Sequence, residues 1–126
     1  MNLDSFKMWL DAYGQAWENQ DPQAAANIFA ADATYQETPF DEQIRGREAI
    51  LQYWLEEIYV QEQVKFSYEI LAVSENRGIA RWQASFTRIP SKAQVKLDGI
   101  FVVYLNVENL CTVFEEWWNR EEKQPQ

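Results

Sequence analysis

The sequence contains no histidine and a single cysteine, Cys111. The first absence removes Ser-His-Asp triads, Cys-His pairs and imidazole metal ligands. The second excludes an intrachain disulfide and a cysteine-built zinc site. Acid-base chemistry must therefore use Asp, Glu, Tyr, Lys or a bound cofactor. Glycine and proline are scarce, at four each, and no linker or low-complexity segment stands out. Positive charge is also in short supply: 11 Lys and Arg stand against 20 Asp and Glu, a formal net charge of −9. Such a surface repels phosphate backbones and anionic headgroups, which argues against nucleic-acid and membrane partners. No apolar run is long enough to span a bilayer, and carboxylates interrupt the N-terminal apolar pattern, unlike a signal peptide. A cytoplasmic protein is the expectation.

Apolar and aromatic residues are plentiful. They make up 47% and 15% of 126 residues, enough for one folded domain with its own core. The expected domain spans residues 1–120, with a polar, frayed tail at 121–126. Leu3, Phe6, Trp9, Leu10, Tyr13, Ala16 and Trp17 recur at helical spacing and predict a helix over 3–19. Asp21-Pro22 supplies an N-cap and a first-turn proline for a short second helix, with Ala24, Ala25, Ile28 and Phe29 on its buried side. "ATYQETPF" alternates like a short strand, and Gly46-Arg47-Glu48 opens a third helix with Ile50, Tyr53, Trp54 and Ile58 inward. From Val60 onward the period becomes 2, giving strands over 63–73, 77–89, 94–105 and 110–120. Helices followed by consecutive strands predict an α+β domain, with a curved sheet wrapped around helices to enclose a cavity.

The segments "AWENQDPQAAANIFAADATYQETPF", "GREAILQYW", "ARWQASFTRIP", "LDGIFVVYL" and "FEEWW" together resemble the nuclear transport factor 2-like superfamily, in its SnoaL-like branch. The resemblance implies a cone-shaped α+β domain with a deep apolar pocket, commonly a homodimer through the sheet. Members include isomerases, epoxide hydrolases, cyclases, dehydratases and non-catalytic binders, so the fold alone does not choose a function. Similarity to the epoxide hydrolases places Tyr35, Glu37 and Glu116 at water-holding positions. The Arg and Asp of that family fall on Trp82 and Ala84, which removes its acid. The oxyanion acid of the ketosteroid isomerases falls on Phe101, and their base and Tyr donor find no match. The dehydratases depend on histidine.

Glu116 is the leading acid-base candidate. Strand alternation groups it with Phe114 and Trp118, and a carboxyl among aromatic rings has a raised pKa. The alternative turns Glu115 inward and Glu116 to solvent, or makes Glu116 a structural buried acid. Tyr35 and Glu37 share a strand face and could hold a water or ligand hydroxyl beside it. Asp98 is the second acid-base candidate. Asp98-Gly99 reads locally as a hairpin turn, but Pro90-Ser91-Lys92 is the better-placed turn. A continuous strand with a bulge is expected, turning Asp98 and Phe101 both inward. The alternative is a sheet-face Asp98 paired with Arg81, Arg88 or Lys96. Trp54, Trp82, Phe86, Phe101, Phe114 and Trp118 are pocket-lining candidates or plain core. Arg45 and Arg47 flank a helix start and either bind an anion there or are solvated. No metal or cofactor is called for. The functional expectation is binding of a small, mostly apolar molecule. A metal-independent hydrolase, isomerase or cyclase using Glu116 or Asp98 is the alternative, and a protein-interaction module through the sheet face a second.

Overall fold

A computed structural model describes residues 1–126. Helix α1 runs Leu3–Glu18 and opens on a capping box, in which Asn2 and Ser5 exchange side-chain and backbone hydrogen bonds. Its apolar stripe is buried from Phe6 to Trp17. Helix α2 is only Pro22–Ala26, capped by the Asp21 carboxylate on the Ala24 N–H. The helix expected to carry Ile28 and Phe29 stops before them, and Phe29 opens strand β1, Phe29–Gln36. A two-residue strand β2, Ile44–Arg45, precedes α3, Arg47–Ile58. The strands β3 (Gln61–Ser74), β4 (Arg77–Arg88), β5 (Gln94–Leu105) and β6 (Cys111–Lys123) follow. No helix is long and apolar enough to cross a membrane.

The six strands form one curled, unclosed sheet in the order β2-β1-β6-β5-β4-β3. The β1–β6 pair is parallel and the rest are antiparallel, so the sheet is mixed. The helices lie in its concave face, where the core is rich in aromatic rings. Tyr13 is its hub: Trp9 and Phe114 stack on it, while Trp54 and Phe101 meet it edge-on.

Three expectations change. The β5 ladder runs without interruption through Asp98-Gly99, with Gln83 and Asn119 opposite Asp98 and with Trp82 and Trp118 opposite Gly99. There is no bulge, parity is kept, and Phe101 faces the core while Asp98 faces away. Gly99 has a different reason. A Cβ there would collide with the Trp117 carbonyl oxygen and lie 2.8 Å from the Trp118 Cβ, so only glycine lets β6 approach this closely. The tail is also less frayed than expected, since β6 continues to Lys123 and Glu122 pairs with Arg88 at 3.0 Å. Arg47 is committed to structure, with Nε and Nη2 donating to the Phe29 carbonyl at 2.8 and 2.7 Å.

Candidate active site

The concave face holds a cavity of about 150 Å³ between α1, α3 and the strands β1, β4, β5 and β6. That is the size of an engineered apolar cavity that admits benzene. Strand parity builds most of its wall. On β4 the inward row is Trp82, Ala84, Phe86, Arg88; on β6 it is Phe114, Glu116, Trp118, Arg120. Helix α1 adds Tyr13 and Trp17, and α3 adds Tyr53, Trp54, Glu57 and Ile58. Tyr35 from β1 and Glu37 just after it close the far side.

Of the two adjacent acids on β6, Glu116 faces the cavity and is 5% exposed, while Glu115 lies on the outer face. Burial lifts the Glu116 carboxyl well above the usual carboxylate range, and the charge of Glu37 lifts it further. A hydrogen-bonding contribution from Tyr35 opposes part of that. No cation offsets the burial. Glu37 is half-buried, and burial raises its pKa less strongly, with Tyr53 opposing by hydrogen bonding and Glu57 and Asp41 adding to the rise. Trp118 fixes the backbone of this acid by donating Nε1–H to the Glu37 carbonyl at 2.9 Å. Tyr13 and Tyr35 are buried and held protonated, chiefly by desolvation. The cavity thus brings together two carboxyl groups of unequal environment, backed by neutral phenols. Paired acids in unlike settings divide into a proton donor and a proton acceptor.

The structure gathers Glu116, Glu37, Tyr35, Trp54, Trp82, Phe86 and Trp118 on one cavity. It separates Asp98 from them. Asp98 sits on the outer face of the sheet, where Arg81 Nη2 donates to it at 2.7 Å and Gln83 Nε2 at 2.9 Å. Those donors, Arg81 first, hold its carboxyl below the usual range, the reverse of a pocket acid. Phe101 and Phe114 do not reach the cavity either. They are fully buried behind it, Phe101 stacked on Trp82 at 4.9 Å and Phe114 on Tyr35 at 4.5 Å, and so fix the rings that do line it. Trp54 and Trp82 each keep a buried indole N–H with no acceptor in the protein. Natural structures leave few such donors, and they concentrate where function overrides packing.

Sequence reasoning missed Tyr13, Trp17, Tyr53, Arg88 and Arg120 as site residues. The tyrosines and Trp17 were absorbed into apolar helix faces. The arginines were legible by parity, since Arg88 continues the row of Trp82 and Phe86, and Arg120 that of Glu116 and Trp118.

A curled mixed sheet over N-terminal helices, with an acid-bearing aromatic cavity, is the architecture of the nuclear transport factor 2-like superfamily. Residues 10–110 match the SnoaL-like domain model, and the chain belongs to that family. The fold is shared with SalBIII, an epoxide hydrolase/cyclase-like enzyme in pyran ring formation in the polyether salinomycin (TM-score 0.81, 19% identity, 92% of each chain). It is shared with a computationally designed 17-OHP binder (TM-score 0.82, 15% identity, 94% of this chain and 98% of that one). A hypothetical protein of ketosteroid isomerase-like fold from Catenulispora acidiphila DSM 44928, in complex with trimethylamine, is also similar (TM-score 0.76, 16% identity, 86% and 83%). No curated protein matches the chain by sequence.

Proposed function

We propose that the cavity binds a small, mainly apolar molecule carrying a carbonyl or related oxygen, and that Glu37 and Glu116 move a proton on it. The observation that carries this reading is the placement of Glu116: 5% exposed, on the cavity wall beside a second carboxyl and paired with no cation. A carboxyl kept neutral by its surroundings is a hydrogen-bond donor and general acid. Glu37, more exposed and less perturbed, is the carboxylate of the pair and the base. Glu37 would take a proton from the carbon beside the carbonyl, and the electron pair would move onto the oxygen. Glu116 would donate a hydrogen bond to that developing charge. Return of the proton to another carbon gives isomerisation, and attack of the enolate carbon on a second carbonyl of the same molecule gives cyclisation, the electron pair of that C=O moving to its oxygen, which takes up the proton.

A cyclase-like enzyme and a designed steroid binder among the structural neighbours support a ligand cavity of either kind. The test is deuterium uptake by cyclohexanone in D2O, read by NMR. The wild type accelerates uptake, and Glu37→Gln returns it to the buffer rate. Uptake at the buffer rate with the wild type, while p-cresol still binds, would leave the second reading, a binding protein without chemistry. The unpartnered Trp54 and Trp82 donors support that second reading, because a ligand oxygen that accepts from them is bound without any proton transfer. A second copy of the chain would pack on the outer sheet face, where Trp117 is 45% exposed; sedimentation reads the dimer directly.

A further inference from the structure

Glu37 and Glu116 lie side by side, because Gln36 at the end of β1 pairs with Glu115 of β6, whereas Glu57 lines the cavity but is exposed. Two cations also line the wall, Arg88 and Arg120. Along β6 the inward side chains read acid at Glu116, ring at Trp118, guanidinium at Arg120 and acid at Glu122. Four residues of strand separate Glu116 from Arg120, about 13 Å of backbone. The arginine side chain can cover much of that distance, because a guanidinium rides on three methylenes.

The two guanidiniums share one carboxylate. Arg88 Nη2 donates to Glu122 at 3.0 Å, while Arg120 Nε stands 3.9 Å from the same oxygen and makes no hydrogen bond. Arg88 also lies over the Phe86 ring at 5.6 Å, which fixes it against the cavity wall. A guanidinium presents five donors in a fork matched to a carboxylate. Arg120 has that fork open, beside an apolar cavity, in a chain where acids outnumber Lys and Arg by 20 to 11.

Resting on the ligand-cavity reading above, we propose that the ligand is a monocarboxylate: an apolar body with its neutral oxygen at Glu116 and its carboxylate on Arg120, to which Arg88 is linked through Glu122. The ligand carboxylate supplies the second acid of an alternating Arg88–Glu122–Arg120–carboxylate row. Glu37 and Glu116, side by side where β1 meets β6, oppose the reverse orientation, so one arrangement sets both ligand class and direction. Arg120 is then a specificity-determining residue and Arg88 a positioning residue for it.

The test uses four probes on the full chain, with binding followed by tryptophan fluorescence. p-Cresol, a neutral ring with one hydroxyl, tests the cavity alone. 4-Hydroxyphenylacetate, its methyl ester and tyramine place an acid, a neutral group and an amine on the same ring. The expected result is that 4-hydroxyphenylacetate binds at least tenfold more tightly than the ester or the amine. Arg120→Gln removes that preference, bringing the affinity for 4-hydroxyphenylacetate down to that for its ester. Added salt weakens the acid and not p-cresol. Equal affinity for acid and ester, or tyramine as the tightest ligand, overturns the proposal while p-cresol binding keeps the cavity reading. Failure of all four to bind overturns both.

Discussion

At the scale of single residues, Glu116 and Asp98 show how one strand face separates two acids of similar sequence setting. Glu116 is buried among rings with no cation; Asp98 is on the outer face, clasped by Arg81 and Gln83. Their stability effects run in opposite directions with pH. Burial raises the folded pKa of Glu116 well above that of an ordinary glutamate, so the native state holds a proton that the unfolded chain releases. Native stability therefore falls as pH rises from about 4.5 toward the folded value, at about 1.4 kcal/mol per unit of separation between the two. Glu116→Gln removes that loss. Urea midpoints at pH 5 and pH 8 should show the variant gaining on the wild type at the higher pH, and a difference independent of pH would refute the assignment. Asp98→Asn removes a surface pair outside the cavity, so p-cresol affinity should stay at the wild-type value. A severalfold weakening would place Asp98 back in the site.

At the scale of elements, Gly99 governs how β5 and β6 meet. Strand parity predicts a residue facing the cavity there, and the neighbours of its absent side chain are Trp118 and the Trp117 carbonyl. Gly99→Ala forces a methyl into backbone and should cost about 1–3 kcal/mol, read as a lowered urea midpoint with unchanged slope. It should also weaken p-cresol binding, because Trp118 cannot keep its place. Wild-type stability in this variant would show that the two strands have slack. The same region marks the limit of what the sequence discloses. Period 2 was enough to find four long strands and to group Glu116 with Phe114 and Trp118 on one face. Asp-Gly also carries a local turn and bulge signal, and only long-range pairing with β4 and β6 overrides it. The helix-to-strand change at Asn27–Phe29 was hidden for a related reason: Ile28 and Phe29 suit a buried helix face and a buried strand equally. Tyr13 and Tyr53 could not be told from core, since a phenol on an apolar stripe reads as apolar until the opposite wall is known.

At the scale of the whole molecule, the protein has two faces with separate physics. The convex face carries exposed ion pairs such as Arg81–Asp98, worth little individually. The concave face concentrates the aromatic rings and leaves a void lined by three acids and two arginines. A ligand that fills this void binds only the folded chain, so saturation at 100 times Kd should stabilise it by about 2.7 kcal/mol. A thermal shift with p-cresol that is absent in the unliganded control checks this, and no shift at saturation would deny the cavity its role. The central claim is narrower: Glu116 is a neutral acid that shares the cavity with a second carboxyl. Carbon-13 NMR titration of the glutamate side-chain carboxyls tests it most directly. The account predicts one carboxyl that titrates well above the other glutamates, absent from Glu116→Gln and titrating at lower pH in Glu37→Gln. A spectrum in which all the glutamates titrate together in the ordinary carboxylate range would contradict it.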